Sequence, residues 1–177
     1  LVENITMISI LLVGAAVIRE REHGTIEHLL VMPVGATEIA AAKIWANGAV
    51  LLLVTSLSLL LVVNHLLGVP IRGSFMLFLI GTCVFIFALS ALGLMLATVA
   101  SSMPQFALLA MPVFLILSML SGATSPIDSM PGVLQVVLQV SPSVHYVSLA
   151  HGILFRGAGL EIIWMQLVIL TCLGSLF

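Results

Sequence analysis

The 177-residue chain is 62% hydrophobic and only 7% charged, with a formal net charge of −2 and a mean hydropathy of +1.33. A soluble domain carries about a quarter of its residues as Asp, Glu, Lys or Arg, so an ordinary soluble domain is excluded, and no basic surface points to nucleic acid. The apolar residues fall in runs near the length of about 20 that crosses a bilayer, which predicts an all-α, polytopic transmembrane helical bundle.

Five spans are expected, at about 5–18, 46–67, 75–100, 106–120 and 162–177. The first could begin nearer Leu1, with Glu3 and Asn4 at the interface. The second closes at Gly68-Val-Pro70, and a turn around Arg72-Gly73 leads to the third. Pro104 suits the start of the fourth, and Pro112 is a candidate kink. The last runs to Phe177. The chain opens at Leu1 without a secretory n-region and closes inside an apolar run, so further material is expected on both sides. The stretch 121–161 is less apolar and rich in Pro, Gly and Ser, which predicts short helices or a re-entrant hairpin at the membrane surface.

Charge is concentrated in one place. Arg19-Glu-Arg-Glu-His-Gly-Thr-Ile-Glu-His-Leu-Leu-Val-Met-Pro33 holds two of the five Lys/Arg and three of the seven Asp/Glu. A charged segment between two membrane-length runs must lie in water at one membrane face, where a soluble partner can reach it. Ile26, Leu29 and Leu30 fall at i, i+3 and i+4, giving a short amphipathic helix with Glu27 and His28 turned away. Gly24-Thr25 is its expected entry and Pro33-Val-Gly35 its end. Thr37 is the expected N-cap of the next helix, with Glu38 favourable in its first turn. A helix resting passively on lipid is the alternative, opposed by the short length and acidic polar face. Arg19, Arg21 and Lys43 share this loop, against Arg72 and Arg156 on the other side, so the lysine/arginine rule leans toward 19–45 being cytoplasmic.

Chemistry of its own is not expected. A P-loop needs Gly-Lys-Ser/Thr, whereas Lys43 stands between Ala42 and Ile44. Leu120-Ser-Gly-Ala-Thr124 superficially matches an ATPase signature loop but sits at the end of a span. No HExxH, GxSxG or paired His/Cys spacing occurs, and Cys83 and Cys172 read as packed thiols. No catalytic, cofactor-binding or metal residues are therefore assigned. Intramembrane charge is nearly absent, which argues against an ion-coupled carrier. Gly93, Ala97 and Ser101 recur at i, i+4 and i+8, a spacing that lets helices approach closely. Packing against a neighbouring span is the default expectation, and a homodimer seam the lesser one.

The order of these features resembles that of ABC-2 type transporter permeases. The 19–33 block resembles the family's cytoplasmic coupling-helix motif, although Met32 stands where the pattern has Thr. Leu120-Ser-Gly-Ala-Thr-Ser-Pro-Ile-Asp-Ser-Met-Pro131, Ser141-Pro-Ser-Val-His-Tyr146 and Leu154-Phe-Arg-Gly-Ala-Gly-Leu160 resemble the segments that follow the fifth span. The Ser101-Ser-Met-Pro-Gln105 loop lacks a basic residue that many relatives carry.

The resemblance implies six spans, of which this chain would hold the last five, missing the first span and an extracytoplasmic domain. It implies a multi-pass bacterial inner-membrane exporter subunit that pairs with a second permease subunit and an ABC ATPase, separate or fused. ATP and magnesium would be held by that ATPase, and the substrate would be a hydrophobic small molecule or lipid. Glu20, Arg21, Glu22, Gly24, Thr25, Ile26, Glu27, Leu29, Leu30 and Pro33 would form the ATPase-coupling element. The competing expectation is a non-transporting assembly factor or sensor that recruits a soluble partner through residues 19–35.

Overall fold

The computed structural model describes residues 2–23, 35–61, 73–119, 121 and 141–177. Every regular element among them is a helix, so the chain is an all-α bundle. In chain order the helices are α1 (Val2–Glu22), α2 (Ala36–Leu57), α3 (Phe75–Val99), α4 (Met103–Met119), α5 (Pro142–Arg156) and α6 (Leu160–Leu176). Three helical stretches, Val2–Glu22, Glu38–Leu61 and Phe75–Val99, are long and apolar enough to cross a membrane, and α4 and α6 are shorter apolar helices.

The helices outrun the apolar stretches that predict them. α1 continues past Ile18 through Glu22, because Arg19 and Arg21 in its last turn complement the partial negative charge of a helix C-terminus. α2 starts at Ala36 on Gly35, so Thr37 lies inside the helix and is not its cap. Glu38 supplies the cap instead, its Oε2 accepting from the Gly35 amide at 3.0 Å. The helix closes in a π-helical turn over residues 58–61. α4 begins with Met103-Pro104, where proline's missing N–H costs nothing, and continues through Pro112.

α3 is the hub, packing against all five other helices, and its buried residues range from Phe78 to Ala97. α1 runs parallel to it at close range. A Cβ on Gly93 would lie 2.5 Å from the Ile10 carbonyl oxygen, and one on Gly14 would lie 2.1 Å from the Phe106 ring and 3.0 Å from the Gly93 oxygen. Helices in lipid gain no hydrophobic energy by associating, so backbone approach and the dispersion it allows must hold this seam. Gly93 and Ala97 are both buried. Ser101 does not continue the row: α3 ends at Val99, Ala100 turns to extended backbone (φ −78°, ψ 137°), and Ser101 is exposed. The i+8 projection holds only while the helix lasts.

α5 lies inside the bundle. Ile153 packs at Gly73, Leu149 at Gly81 and Tyr146 at Thr82 and Phe85, so α5 runs antiparallel along the first half of α3. The Tyr146 ring stacks on Phe85 with centroids 4.1 Å apart and planes 3° apart. Thr82 donates its hydroxyl proton to the Phe78 carbonyl at 2.8 Å, so the Tyr146 hydroxyl donates to Thr82 Oγ1 at 2.9 Å. α5 ends at Gly157, whose φ of 63° is left-handed backbone that favours glycine. The segment 122–140 lies outside the described residues.

The seam is tested by thermal unfolding of the purified full-length protein. Gly93→Ala should destabilise by about 1–3 kcal/mol, because its methyl meets backbone that cannot step aside. Gly159→Ala, with nothing within 4 Å of a Cβ, should leave the midpoint unchanged.

Candidate functional site

The charged end of the bundle is where α1 and α3 finish and α2 and α4 begin. Three consecutive side chains in the last turn of α1 each reach a different helix. Glu20 pairs with Lys43 of α2. Arg21 Nη1 donates to the carbonyl oxygen of Ala100, the C-cap residue just after α3, at 2.9 Å. Glu22 Oε1 accepts from the amide of Met103, the first residue of α4, at 2.8 Å. His23 closes the turn through its amide and its ring Nδ1, both against the Arg19 oxygen, at 3.0 and 2.7 Å.

The order of charges fits the helix ends they meet. A helix C-terminus leaves carbonyls without partners and carries partial negative charge, and Arg21 answers the end of α3. A helix N-terminus leaves amides without partners and carries partial positive charge, and Glu22 answers the start of α4. The tight turn between them is further held by Gln105, whose Oε1 accepts from the Ser101 amide at 2.8 Å. One helical turn therefore fixes the relative position of four helices at a single face.

Of the residues expected to form the coupling element, Glu20, Arg21 and Glu22 lie in this turn and bond within the chain. Gly24, Thr25, Ile26, Glu27, Leu29, Leu30 and Pro33 lie outside the described residues. In the sequence, Lys43 serves for orientation and to exclude a P-loop, with no sign of it, the Ala100 carbonyl or the Met103 amide as partners. Those three contacts span 23, 79 and 81 residues. A run of alternating charge announced a polar face but carried no signal of its partners.

A second feature lies farther along the bundle. An apolar cleft of about 270 Å³ opens among α2, α3 and α6, lined by Trp45, Gly48, Leu52, Cys83, Phe87 and Thr171 among others. Along α2 its lining begins at Ile44, directly after Lys43, and reaches Leu52.

The profile described as ABC-2 type transporter matches residues 2–155. The chain is 51% identical, over its whole length, to the inner membrane transport permease YhhJ of Escherichia coli K12, covering 47% of that protein. It is 30% identical over 94% of its length to the probable multidrug ABC transporter permease YbhR of the same organism, covering 45% of it. It is 32% identical over 86% of its length to the probable multidrug ABC transporter permease YbhS, also of Escherichia coli K12, covering 40%. The chain thus spans about half the length of the curated relatives it matches, or somewhat less. No solved structure matches it.

Two measurements probe the charged end. In a double-mutant cycle on unfolding, Glu20→Ala and Lys43→Ala should couple by about 1 kcal/mol or less, because the pair is partly exposed, and the coupling should shrink in high salt. Glu22→Ala should cost about 1 kcal/mol, the usual loss for a helix N-terminal cap, and Glu22→Gln, which keeps the acceptor oxygen, should cost less.

Proposed function

Because this chain belongs to the ABC-2 type transporter family, we propose that it is the helical core of an export permease in a bacterial inner membrane. In this reading it couples ATP hydrolysis by an ABC ATPase, as a separate subunit or a fused domain, to the outward movement of a hydrophobic substrate. The ATPase holds the ATP and magnesium, and a second permease subunit completes the path. This chain supplies the coupling lever and the walls, with no ATPase motif of its own.

The observation that carries the reading is the triple engagement at the end of α1. A segment that receives force from a soluble partner is useful only if the helices behind it move as one body. Glu20, Arg21 and Glu22 tie α1 to α2, α3 and α4 immediately before residues 24–34. A displacement applied to that loop therefore reaches four helices together, as rigid-body motion rather than local bending. The lean of the charge distribution supports a cytoplasmic position for this face, where the ATPase would be. The inner-membrane permease names of the relatives fit the same assignment, and the apolar cleft beside Trp45 fits a hydrophobic cargo or the lipid around it.

The test is coupling itself, with the full-length protein and its ATPase reconstituted in proteoliposomes. Gly24→Pro, and separately Glu22→Lys, should lower export per ATP hydrolysed by about tenfold, the scale of a coupling free energy of one to three kcal/mol. ATP hydrolysis should persist, and both variants should remain folded in the membrane. Normal export per ATP in both would remove this loop from the coupling role.

A further inference from the structure

The first turn of α5 lies deep in the bundle and its polar groups have no partner among the described residues. α3 is about 37 Å long at 1.5 Å per residue, and Tyr146 meets it at Thr82 and Phe85, roughly a third of the way along. Ser141 lies more than a further turn of α5 inward from Tyr146, so the N-terminus of α5 sits near mid-height of the longest spanning helix. A helix start at that depth has no water to satisfy it.

Its capping chemistry is incomplete. Ser141 is the N-cap residue, yet its side chain makes no cap hydrogen bond, and no acidic residue stands in the first turn. The Ser141 and Ser143 hydroxyl oxygens are both buried without a partner, on residues 6% and 1% exposed. Ser143 is the second residue of the helix, and side chains on a helix tilt toward its N-terminus. Its hydroxyl is therefore directed toward the same helix end that Ser141 flanks. The Ser143 and Val144 amides belong to the first turn, whose N–H groups have no intrahelical acceptor. Two hydroxyls, two amides and the positive end of a 15-residue helix lie together, and the first turn itself carries no acidic residue.

Buried donors in that arrangement are costly left alone and complementary to an anion. We infer that the N-terminus of α5, with Ser141 and Ser143, binds the anionic headgroup (a phosphate monoester or carboxylate) of an amphiphile whose tail lies along the apolar bundle. This deepens the export reading by giving the cargo a charged end, and it rests on that reading only for calling the amphiphile cargo. A free anion offers the same head chemistry without a tail, and the experiment separates the two.

The test is native mass spectrometry of the full-length protein released from zwitterionic nanodiscs equilibrated with dodecyl phosphate, dodecanol or inorganic phosphate. Neither ATP nor the ATPase is present, so failure here and failure of export are independent. The wild-type protein should retain dodecyl phosphate about tenfold better than dodecanol, as charge-assisted hydrogen bonds at a helix N-terminus allow. Equimolar inorganic phosphate should not displace it. Ser141→Ala with Ser143→Ala should bring that ratio near unity without changing dodecanol retention, and Ser148→Ala, exposed on the same helix, should preserve it. Ser143→Asp, which sets a fixed carboxylate at the amides, should exclude dodecyl phosphate alone and serves if the double variant does not fold. A wild-type ratio near unity, or a ratio unchanged in these Ser141 and Ser143 variants, overturns the site. Displacement by inorganic phosphate overturns the amphiphile.

Discussion

The arrangement of the helices depends on one turn at the end of α1, where Arg21 meets the finish of α3 and Glu22 meets the start of α4. Opposite charges on adjacent residues answer opposite ends of two helices that follow each other in the chain. Neither bond is strong alone, since exposed contacts of this kind contribute about 1 kcal/mol. Their value is geometric. With Glu20 held by Lys43, they remove the freedom of α1 to slide or rotate against three neighbours at the end where a partner would push.

Farther along, packing replaces charge. The α1–α3 seam is a contact of backbones, with Gly93 against the Ile10 carbonyl and Gly14 against Phe106. α3 then receives α5 on its far half through the Phe85–Tyr146 stack and the Thr82 hydroxyl. The molecule thus has a charged end that is rigidly tied and a far half where a short helix penetrates between longer ones. The incomplete capping of α5 lies between these regions, near the middle of α3.

Much of this was legible in the chain, for identifiable reasons. Apolar runs of membrane length announce helices because only a helix satisfies the backbone within a single segment in lipid, and the charge of Arg19–Glu22 marked a water-exposed end. Gly93 marked a close seam because a small residue lets two apolar helices approach backbone to backbone. Ser101 failed because periodicity says nothing about where a helix stops, and Thr37 failed because Gly35 offered the earlier start with Glu38 in reach of its amide. The partners of Arg21 and Glu22 are backbone groups about 80 residues away, which no local pattern encodes. The Pro- and Ser-rich start of α5 read as part of a short-helix or re-entrant segment at the membrane surface; that Ser141 and Ser143 are buried follows only from packing against α3.

The account stands most directly on what touches the loop after α1. Thr25 follows two residues beyond His23, so a photo-crosslinker attached through Thr25→Cys in the full-length protein, in native membranes, reports on the neighbour of that loop. The account predicts an adduct with an ABC ATPase, identified by mass spectrometry, placing both the partner and the cytoplasmic face. Efficient labelling with adducts only to lipid, or to proteins other than an ATPase, would contradict it.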